Sequence, residues 1–229
     1  MIFCANNLHP QLHKILSKVD DLHLLPEIEG LYEGIRNHAD LLLCPTEGPL
    51  FISQEISPYI TTSLKAHKIE ASIISKTLET SYPGTTLLNV LITPTHLICN
   101  TKFTCPELIH YANNKQLITI HVNQAYTRCT TLHLGNNIFL TDDPGIHKVL
   151  VKHKLTSYRL EPGHVQLKDH PSGFIGGSAG IIDGTIYFNG DITHHPSHPL
   201  IVQACQQALL KISYVPNQPL VDIGSILYY

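Results

Sequence analysis

The sequence predicts an α/β propeller in which five ββαβ units surround a central axis and the C-terminal strand closes the ring. Three observations lead to this fold class. Five short apolar strands are each followed by a proline and an amphipathic helix, the spacing from each proline to the next strand is nearly constant, and the last strand has no unit of its own. Self-similarity at a regular spacing is typical of a repeat architecture.

Five apolar segments anchor the repeat, and each is followed by a proline. The segments are MIFCA, PLFIS, HLICN, NIFLT and TIYFN, and the prolines are Pro10, Pro58, Pro106, Pro144 and Pro199. Proline is favoured in the first turn of a helix because its missing N–H has no partner there and its φ is already helical. The repeat therefore predicts five helices with defined starts.

An exit strand follows each helix. The helical segments mostly place apolar residues three and four apart, which gives one buried face. The exit strands are LHLL, ASIIS, LITIHV, SYRL and ISYV, and each begins 11 to 13 residues after its proline.

A further apolar strand precedes four of the five anchors. These strands are LLLC at 41–44, LLNVLI at 87–92, CTTLHL at 129–134 and FIGGSAGII at 174–182, joined to the anchors by tight turns such as GNN and DG. The first unit lacks this strand, and the chain ends in IGSILYY without a unit after it. We expect the C-terminal strand to supply the missing piece, which also removes exposed sheet edges.

A single domain is therefore predicted over residues 1–229. Its modules are expected at residues 1–26 plus 219–229, 38–75, 86–122, 125–162 and 172–216.

The composition and charge argue against proteins that bind nucleic acids or membranes. The chain is 43% hydrophobic and 14% charged, which is ordinary for a packed core. A net charge of −3 with scattered Lys and Arg gives no electrostatic footprint for nucleic acid or for a membrane surface. There is no secretory signal and no apolar run near the length of a membrane span. We expect a cytoplasmic protein with no nucleic-acid or membrane partner.

Cysteine and histidine are the candidate metal ligands. The six cysteines are far apart and form no CxxC pair, so free thiols are expected rather than a disulfide framework or a zinc knuckle. His194, His195 and His198 follow Asp191 and resemble a metal-binding loop, but solvated loop histidines explain them as well. We predict neither a metal nor a cofactor.

The segment GFIGGSAGIIDGTIYFNGD is unusually rich in glycine. It runs into a second strand rather than a helix and has no following Lys, so it does not fit a phosphate-binding loop. It lacks the strand-to-helix turn of a nucleophile elbow. Glycines such as Gly176 and Gly177 inside a strand indicate close approach of another backbone or of a ligand, and the sequence leaves both open.

Five ββαβ units around a pseudo-fivefold axis resemble the pentein fold of the guanidino-group-modifying enzymes, over the entire chain. More locally, AYTRCTTLHLGNNIFLTDDPGI, EPGHVQL, GFIGGSAG, YFNGDITHHPSHP and LVDIGSILYY resemble an uncharacterised bacterial family of that fold. The glycine run and the closing DIGS are the specific parts. This family implies the architecture but no established activity.

The resemblance also implies a type of active site. Pentein enzymes use a Cys nucleophile in the last module, a His from another module and carboxylates that hold a guanidinium, which suits thiolate attack on an amidine carbon. Here Ser225 stands where that Cys is expected. This departure argues against the usual chemistry.

The remaining candidates follow from this comparison. Cys129 is a possible nucleophile, since the adjacent Arg128 is expected to lower its pKa, although a buried structural Cys explains it too. Ser225 is the other candidate nucleophile, and His164 is a candidate base or an ordinary loop histidine. Ligand contacts are expected from a set near the axis and strand ends: Arg128, Asp143, Gly176, Gly177, Asn189, Asp191 and Asp222. Helix capping is the competing role of the aspartates.

We expect the protein to bind a small polar molecule, guanidino- or amide-bearing, at the propeller axis without last-module Cys chemistry. A hydrolase or amidinotransferase-like enzyme acting on an arginine-related compound is one alternative. A non-catalytic protein-interaction module is the other. The oligomeric state is left open.

Overall fold

Five three-stranded sheets form the protein in the computed structural model, which describes residues 1–229. The strands are β1 (Ile2–Ala5), β2 (Leu22–Leu25), β3 (Leu43–Cys44), β4 (Leu50–Ile52), β5 (Ala71–Ile73), β6 (Leu91–Ile92), β7 (His96–Cys99), β8 (Ile118–His121), β9 (Thr131–Gly135), β10 (Ile138–Thr141), β11 (Thr156–Arg159), β12 (Ala179–Ile182), β13 (Thr185–Phe188), β14 (Lys211–Tyr214) and β15 (Leu227–Tyr228). The helices are α1 (Pro10–Leu16), α2 (Ala39–Leu42), α3 (Ser57–Ala66), α4 (Pro106–Asn114), α5 (Thr127–Thr130), α6 (Pro144–Lys152) and α7 (His198–Gln207).

Every sheet has the same topology. Its middle strand pairs antiparallel with an inner strand and parallel with an exit strand that returns after a helix. In module one the inner strand is the C-terminal β15, which pairs with β1 through Ile2 opposite Tyr228 and Phe3 opposite Leu227. The predicted closure of the ring by the C-terminal strand is confirmed.

The predicted prolines lie at the helix starts. Pro10, Pro106 and Pro144 are the first residues of α1, α4 and α6, and the prolines of α3 and α7 are the second residues.

The hairpin turn between β9 and β10 has the backbone conformation that its sequence predicts. Asn136 and Asn137 have φ values of 49° and 57°, the left-handed pair that a two-residue turn of type I′ requires.

The inner strands begin later than predicted. Residues 41 and 129, expected to start strands, lie in α2 and α5 instead. The strands expected from 87 and 174 begin only at Leu91 and Ala179, after 3₁₀ turns at Gly84–Thr86 and Gly176–Ser178. The turns leave backbone N–H groups free for side chains: the Asn89 Oδ1 atom accepts hydrogen bonds from the N–H groups of Arg128 at 2.8 Å and Cys129 at 3.3 Å. The apolar composition of these segments predicted strands, because hydrogen bonds to distant side chains such as Asn89 cannot be inferred from a local segment.

The hydrophobic core is divided into five clusters, one between each pair of neighbouring modules. Consecutive residues of a middle strand point to opposite faces and so enter different clusters. In β1, Ile2 packs towards module five and Phe3 towards module two; in β10, Phe139 packs towards module three and Leu140 towards module five. Burial on both faces explains why the anchor strands are continuous apolar runs rather than alternating ones.

The helices of the structure are all short. None of them has the length and apolar composition needed to cross a membrane.

Ring closure predicts a strong effect of Leu227→Ala. Leu227 is fully buried between modules one and two, so its truncation is expected to lower the free energy of unfolding by about 2–5 kcal/mol, as for other buried leucines. Urea denaturation followed by circular dichroism measures this. Leu209→Ala is the matched control, because Leu209 is 85% exposed and its loss should change stability by no more than about 0.5 kcal/mol. Equal stability of the two variants would contradict a closed ring.

Candidate functional site

A cluster of polar side chains lies at the turns that precede the inner strands. Asp40 comes from α2, Asn89 follows the Gly84–Thr86 turn, Cys129 belongs to α5, and Asp222 and Ser225 precede β15. All five are at most 3% exposed. Because each inner strand begins near the axis, four modules contribute one or two of these side chains, and we call the five the axial cluster.

Asp40 is the centre of the hydrogen bonding in the axial cluster. Its Oδ2 atom lies 2.9 Å from the Cys129 thiol and 2.7 Å from the Ser225 hydroxyl. The Asn89 amide donates to the Cys129 Sγ atom at 3.1 Å. The Asp40 Oδ1 atom is buried and has no hydrogen-bond partner, so the carboxyl group retains the capacity for another donor.

Asp222 is held in a separate pattern. Its two oxygens accept the backbone N–H groups of Gly224 at 2.9 Å and Phe174 at 3.0 Å. The buried His38 ring places Nδ1 3.9 Å from the Asp222 Oδ1 atom. No Lys or Arg side chain lies within ion-pairing distance of Asp40 or Asp222, so the site has two buried carboxyl groups without a cationic side-chain partner.

Burial controls the protonation of the cluster. It raises the pKa of Asp222 to about 6 and raises that of Asp40, and it lowers the pKa of His38 to about 4. The pKa of Cys129 is raised well above its usual value by burial and by the negative charges of Asp40 and Asp222. The expectation that Arg128 would favour a Cys129 thiolate is therefore wrong: burial in the first place, and then the two carboxyl groups, favour the neutral thiol in the free protein.

An axial cavity of about 240 Å³ reaches this cluster. Every module contributes to its wall, which includes Gly176, Arg128, His133 and Ser225, and Ser225 donates to Asp40. The Arg128 Nε and His133 Nε2 atoms are buried without hydrogen-bond partners, and no Asp or Glu lines the cavity. Two residues of the cavity wall therefore have a buried nitrogen atom without a partner, and Ser225 connects the wall to Asp40.

The glycine run fits against the protein's own atoms. A Cβ atom at Gly176 would lie 2.2 Å from the Arg128 carbonyl oxygen, and one at Gly177 would lie 1.9 Å from the Asp222 Oδ1 atom. Of the two explanations for these glycines, crowding by a neighbouring backbone and side chain is directly visible. Gly176 also lines the axial cavity, so its role as a ligand contact remains a prediction.

His164 lies apart from both candidate nucleophiles. Its Nε2 atom is 3.6 Å from Glu161 Oε1, and its ring is 5.3 Å from that of His195 in a surface pocket that also contains Asp191. Cys129 and Ser225 instead both donate to Asp40; Cys129 also accepts from the Asn89 amide, and Ser225 also lies 3.0 Å from the Gly176 carbonyl oxygen. The structure brings Cys129, Ser225 and Asp222 together but does not bring His164 to them.

The other predicted ligand contacts are occupied by structural hydrogen bonds. Asp143 caps α6 by accepting the Ile146 N–H at 2.7 Å. Asp191 accepts from Thr193 at 2.8 Å and from the Asn217 N–H at 2.7 Å. The Asn189 side chain bridges the His9 N–H and the Val221 carbonyl group.

Sequence reasoning missed His38, Asp40 and Asn89. Asp40 and Asn89 occupy the same place in modules two and three as Cys129 does in module four, just before the inner strand. Aligning the modules on their inner strands gives this signal. Ligand atoms of His38, Asp40 and Cys129 lie within 4.8 Å of one another, so these three side chains could also hold a metal ion.

Comparison with known proteins identifies a family and a fold. A family model described as "Family of unknown function (DUF6873)" matches residues 3–227. Comparison with curated protein sequences gives no match.

Two solved enzymes illustrate the structural likeness. A DDAH from Pseudomonas aeruginosa, complexed with citrulline, is similar with a TM-score of 0.56 and 10% identity, covering 94% of this chain and 91% of that chain. Agmatine deiminase from C. jejuni is similar with a TM-score of 0.57 and 11% identity, covering 96% and 90%. Both are pentein-fold guanidino-modifying enzymes. At such low identity the likeness shows the fold alone, and the chain has the pentein fold.

The buried carboxyl group of Asp142, next to the glycine run, should make the stability of the protein depend on pH. Its Oδ2 atom accepts the Ile175 N–H at 2.9 Å, its Oδ1 atom is buried and unpartnered, and burial raises its pKa to about 7. A raised carboxyl pKa stabilises the folded state fully below the unfolded pKa of about 3.9 and loses this contribution as the pH rises towards 7. The loss corresponds to about 1.4 kcal/mol per unit of pKa shift.

Asp142→Asn should remove this dependence. The free energy of unfolding of the wild type, measured relative to the variant by urea denaturation, is expected to fall between about pH 4 and 7 and to level off above it. The exposed Asp169→Asn variant is the control and should follow the wild type. Parallel profiles for wild type and Asp142→Asn would show that the buried carboxyl does not titrate in this range.

Proposed function

This chain belongs to the DUF6873 family of unknown function, and we propose that it binds a small guanidino- or amide-bearing molecule at the propeller axis. The observation that carries the proposal is the pair of buried carboxyl groups, Asp40 and Asp222, with no Lys or Arg partner and with Asp40 Oδ1 unpartnered. Both carboxyl groups are hydrogen-bonded within the protein, but neither has a cation to balance a negative charge, and a buried charge without an opposite partner is costly. A planar guanidinium supplies both charge and several donors.

The axial cavity supports an arginine-related ligand over a simple cation. Ser225, whose hydroxyl donates to Asp40, lines the cavity together with Arg128 and His133, each of which has a buried nitrogen atom without a partner. A ligand with a cationic end and a carboxylate satisfies both groups at once. Since Asp40 itself is fully buried, Ser225 must rotate or relay the contact to the ligand.

The structural neighbours agree with this choice of ligand class. One was solved with citrulline and the other is an agmatine deiminase. These enzymes share only the fold with this chain, so the proposed ligand class is supported by the axial residues of this protein.

A binding assay tests the proposal. Isothermal titration with arginine, agmatine and methylated arginines should find a ligand whose affinity falls at least tenfold in Asp40→Asn, because a charge-assisted hydrogen bond is worth about 1.5–3 kcal/mol. Asp169→Asn, at an exposed position, should bind like the wild type. Absence of a binding heat for every compound in the panel would contradict binding at the axis. An unchanged affinity in a correctly folded Asp40→Asn variant would contradict it as well.

An enzymatic function is the second candidate, and the position of Cys129 favours it. The thiol is hydrogen-bonded to Asp40 and to the Asn89 amide. In the free protein the negative charges around it keep its pKa high. A guanidinium bound beside Asp40 would offset those charges and favour the thiolate.

The corresponding reaction uses residues of the axial cluster. The Cys129 sulfur attacks the guanidinium carbon, Asp40 accepts the thiol proton, and the C–N bond breaks as the leaving amine takes a proton. Water then hydrolyses the carbon–sulfur bond and releases a ureido product and the free thiol. Ser225 is within reach of the same carboxyl group and is the alternative nucleophile.

Cys129→Ser separates catalysis from binding. If Cys129 is the nucleophile, release of ammonia or alkylamine from the bound compound should fall by several orders of magnitude, while the dissociation constant changes little. Ser225→Ala should retain turnover. The reverse pattern would assign the nucleophile to Ser225, and the absence of product from every compound that binds would leave a binding protein without this reaction.

A further inference from the structure

A second group of potential ligands lies away from the axis, where modules one and two meet. Asp21 directly precedes the exit strand β2, His23 is its second residue, and His67 caps the C-terminus of α3. Asp21 and His23 are two residues apart in an extended segment, so their side chains project to the same side. We propose that Asp21, His23 and His67 form a binding site for a divalent transition metal, with Zn²⁺ as the representative ion.

The ligand atoms are already close together. One atom from each of the three side chains lies within 4.8 Å of the others. The Asp21 Oδ2 atom is 2.7 Å from the His67 Nε2 atom, and the His23 and His67 rings are 6.0 Å apart and perpendicular. Tetrahedral zinc with bonds of about 2.0–2.1 Å requires its ligand atoms to be roughly 3.3 Å apart. Small rotamer changes of the exposed Asp21 and His67 side chains around the half-buried His23 provide this spacing.

Neighbouring groups already orient the two imidazoles. The His67 Nδ1 atom is 2.9 Å from the Ser63 carbonyl oxygen, the type of backbone contact that fixes a ligating histidine and leaves Nε2 for the metal. The His23 ring packs against Phe3, with centroids 5.6 Å apart. Two imidazoles and one carboxylate suit zinc and leave at least one coordination position for water.

The site differs from the axial cluster in chemistry and in consequence. It contains no sulfur, and it joins the exit strand of module one to the helix of module two at the outside of the ring. A bound ion therefore cross-links neighbouring modules. It does not depend on the function proposed for the axis.

Titration of the metal-free protein with Zn²⁺ alone tests this site. We expect one equivalent to bind and, at about 100 times Kd, to raise Tm by about 5–10 °C. His67→Ala and His23→Ala should each weaken binding at least tenfold and abolish most of the Tm shift. His153→Ala is the matched control, because His153 is also an exposed helix C-cap, at the end of α6, and it should bind as the wild type does.

Cobalt substitution distinguishes this site from the cysteine-containing one. Bound Co²⁺ should show the d–d bands of nitrogen and oxygen ligands without a thiolate-to-metal charge-transfer band. A thiolate band, an affinity unaffected by His67→Ala, or binding weaker than about 100 µM would overturn the proposal. Circular dichroism of the metal-free variants verifies their fold, and since both altered side chains are at least partly exposed, it should match the wild type.

Discussion

The structure depends on burying both faces of every sheet between neighbouring modules. Each of the five apolar clusters belongs to two modules, and no module has a core of its own. An open array would leave the two end sheets with an apolar face in water, at a cost of about 25 cal/mol for each Å² exposed. Pairing of β15 with β1 removes those ends, so the last few residues of the chain complete the first module.

The same closure creates the chemistry at the axis. The inner strands converge, and polar side chains from the preceding turns are buried where they meet. Asp40 is 89 residues from Cys129 and 185 residues from Ser225 in the sequence. In the folded protein both side chains are hydrogen-bonded to it. Backbone and side chains are so close there that Gly176 and Gly177 have no room for a Cβ atom. Burial then keeps the thiol and the His38 imidazole neutral.

Electrostatic imbalance distinguishes the axis from an ordinary buried polar network. Asp40 and Asp222 lack a cationic partner, whereas Arg128 and His133 have unpartnered nitrogen atoms along the adjoining cavity. In a low-dielectric interior, each charged or polar group without a partner is more destabilising than it would be at the surface. The proposed ligand, which carries both charges, would supply the missing partners together.

The sequence alone determined the repeat, because proline at helix starts and apolar strand runs act locally and recur in every module, with turn residues such as Asn136 and Asn137 in the hairpins. It also gave Cys129, Ser225 and Asp222, together with His164, as candidates for a site at the axis. Only the tertiary structure decided that Asp40 and Asn89 join them, that His164 lies elsewhere, and that the Cys129 pKa is raised despite Arg128. Those properties depend on burial and on charges from other modules, which the order of residues along the chain does not contain.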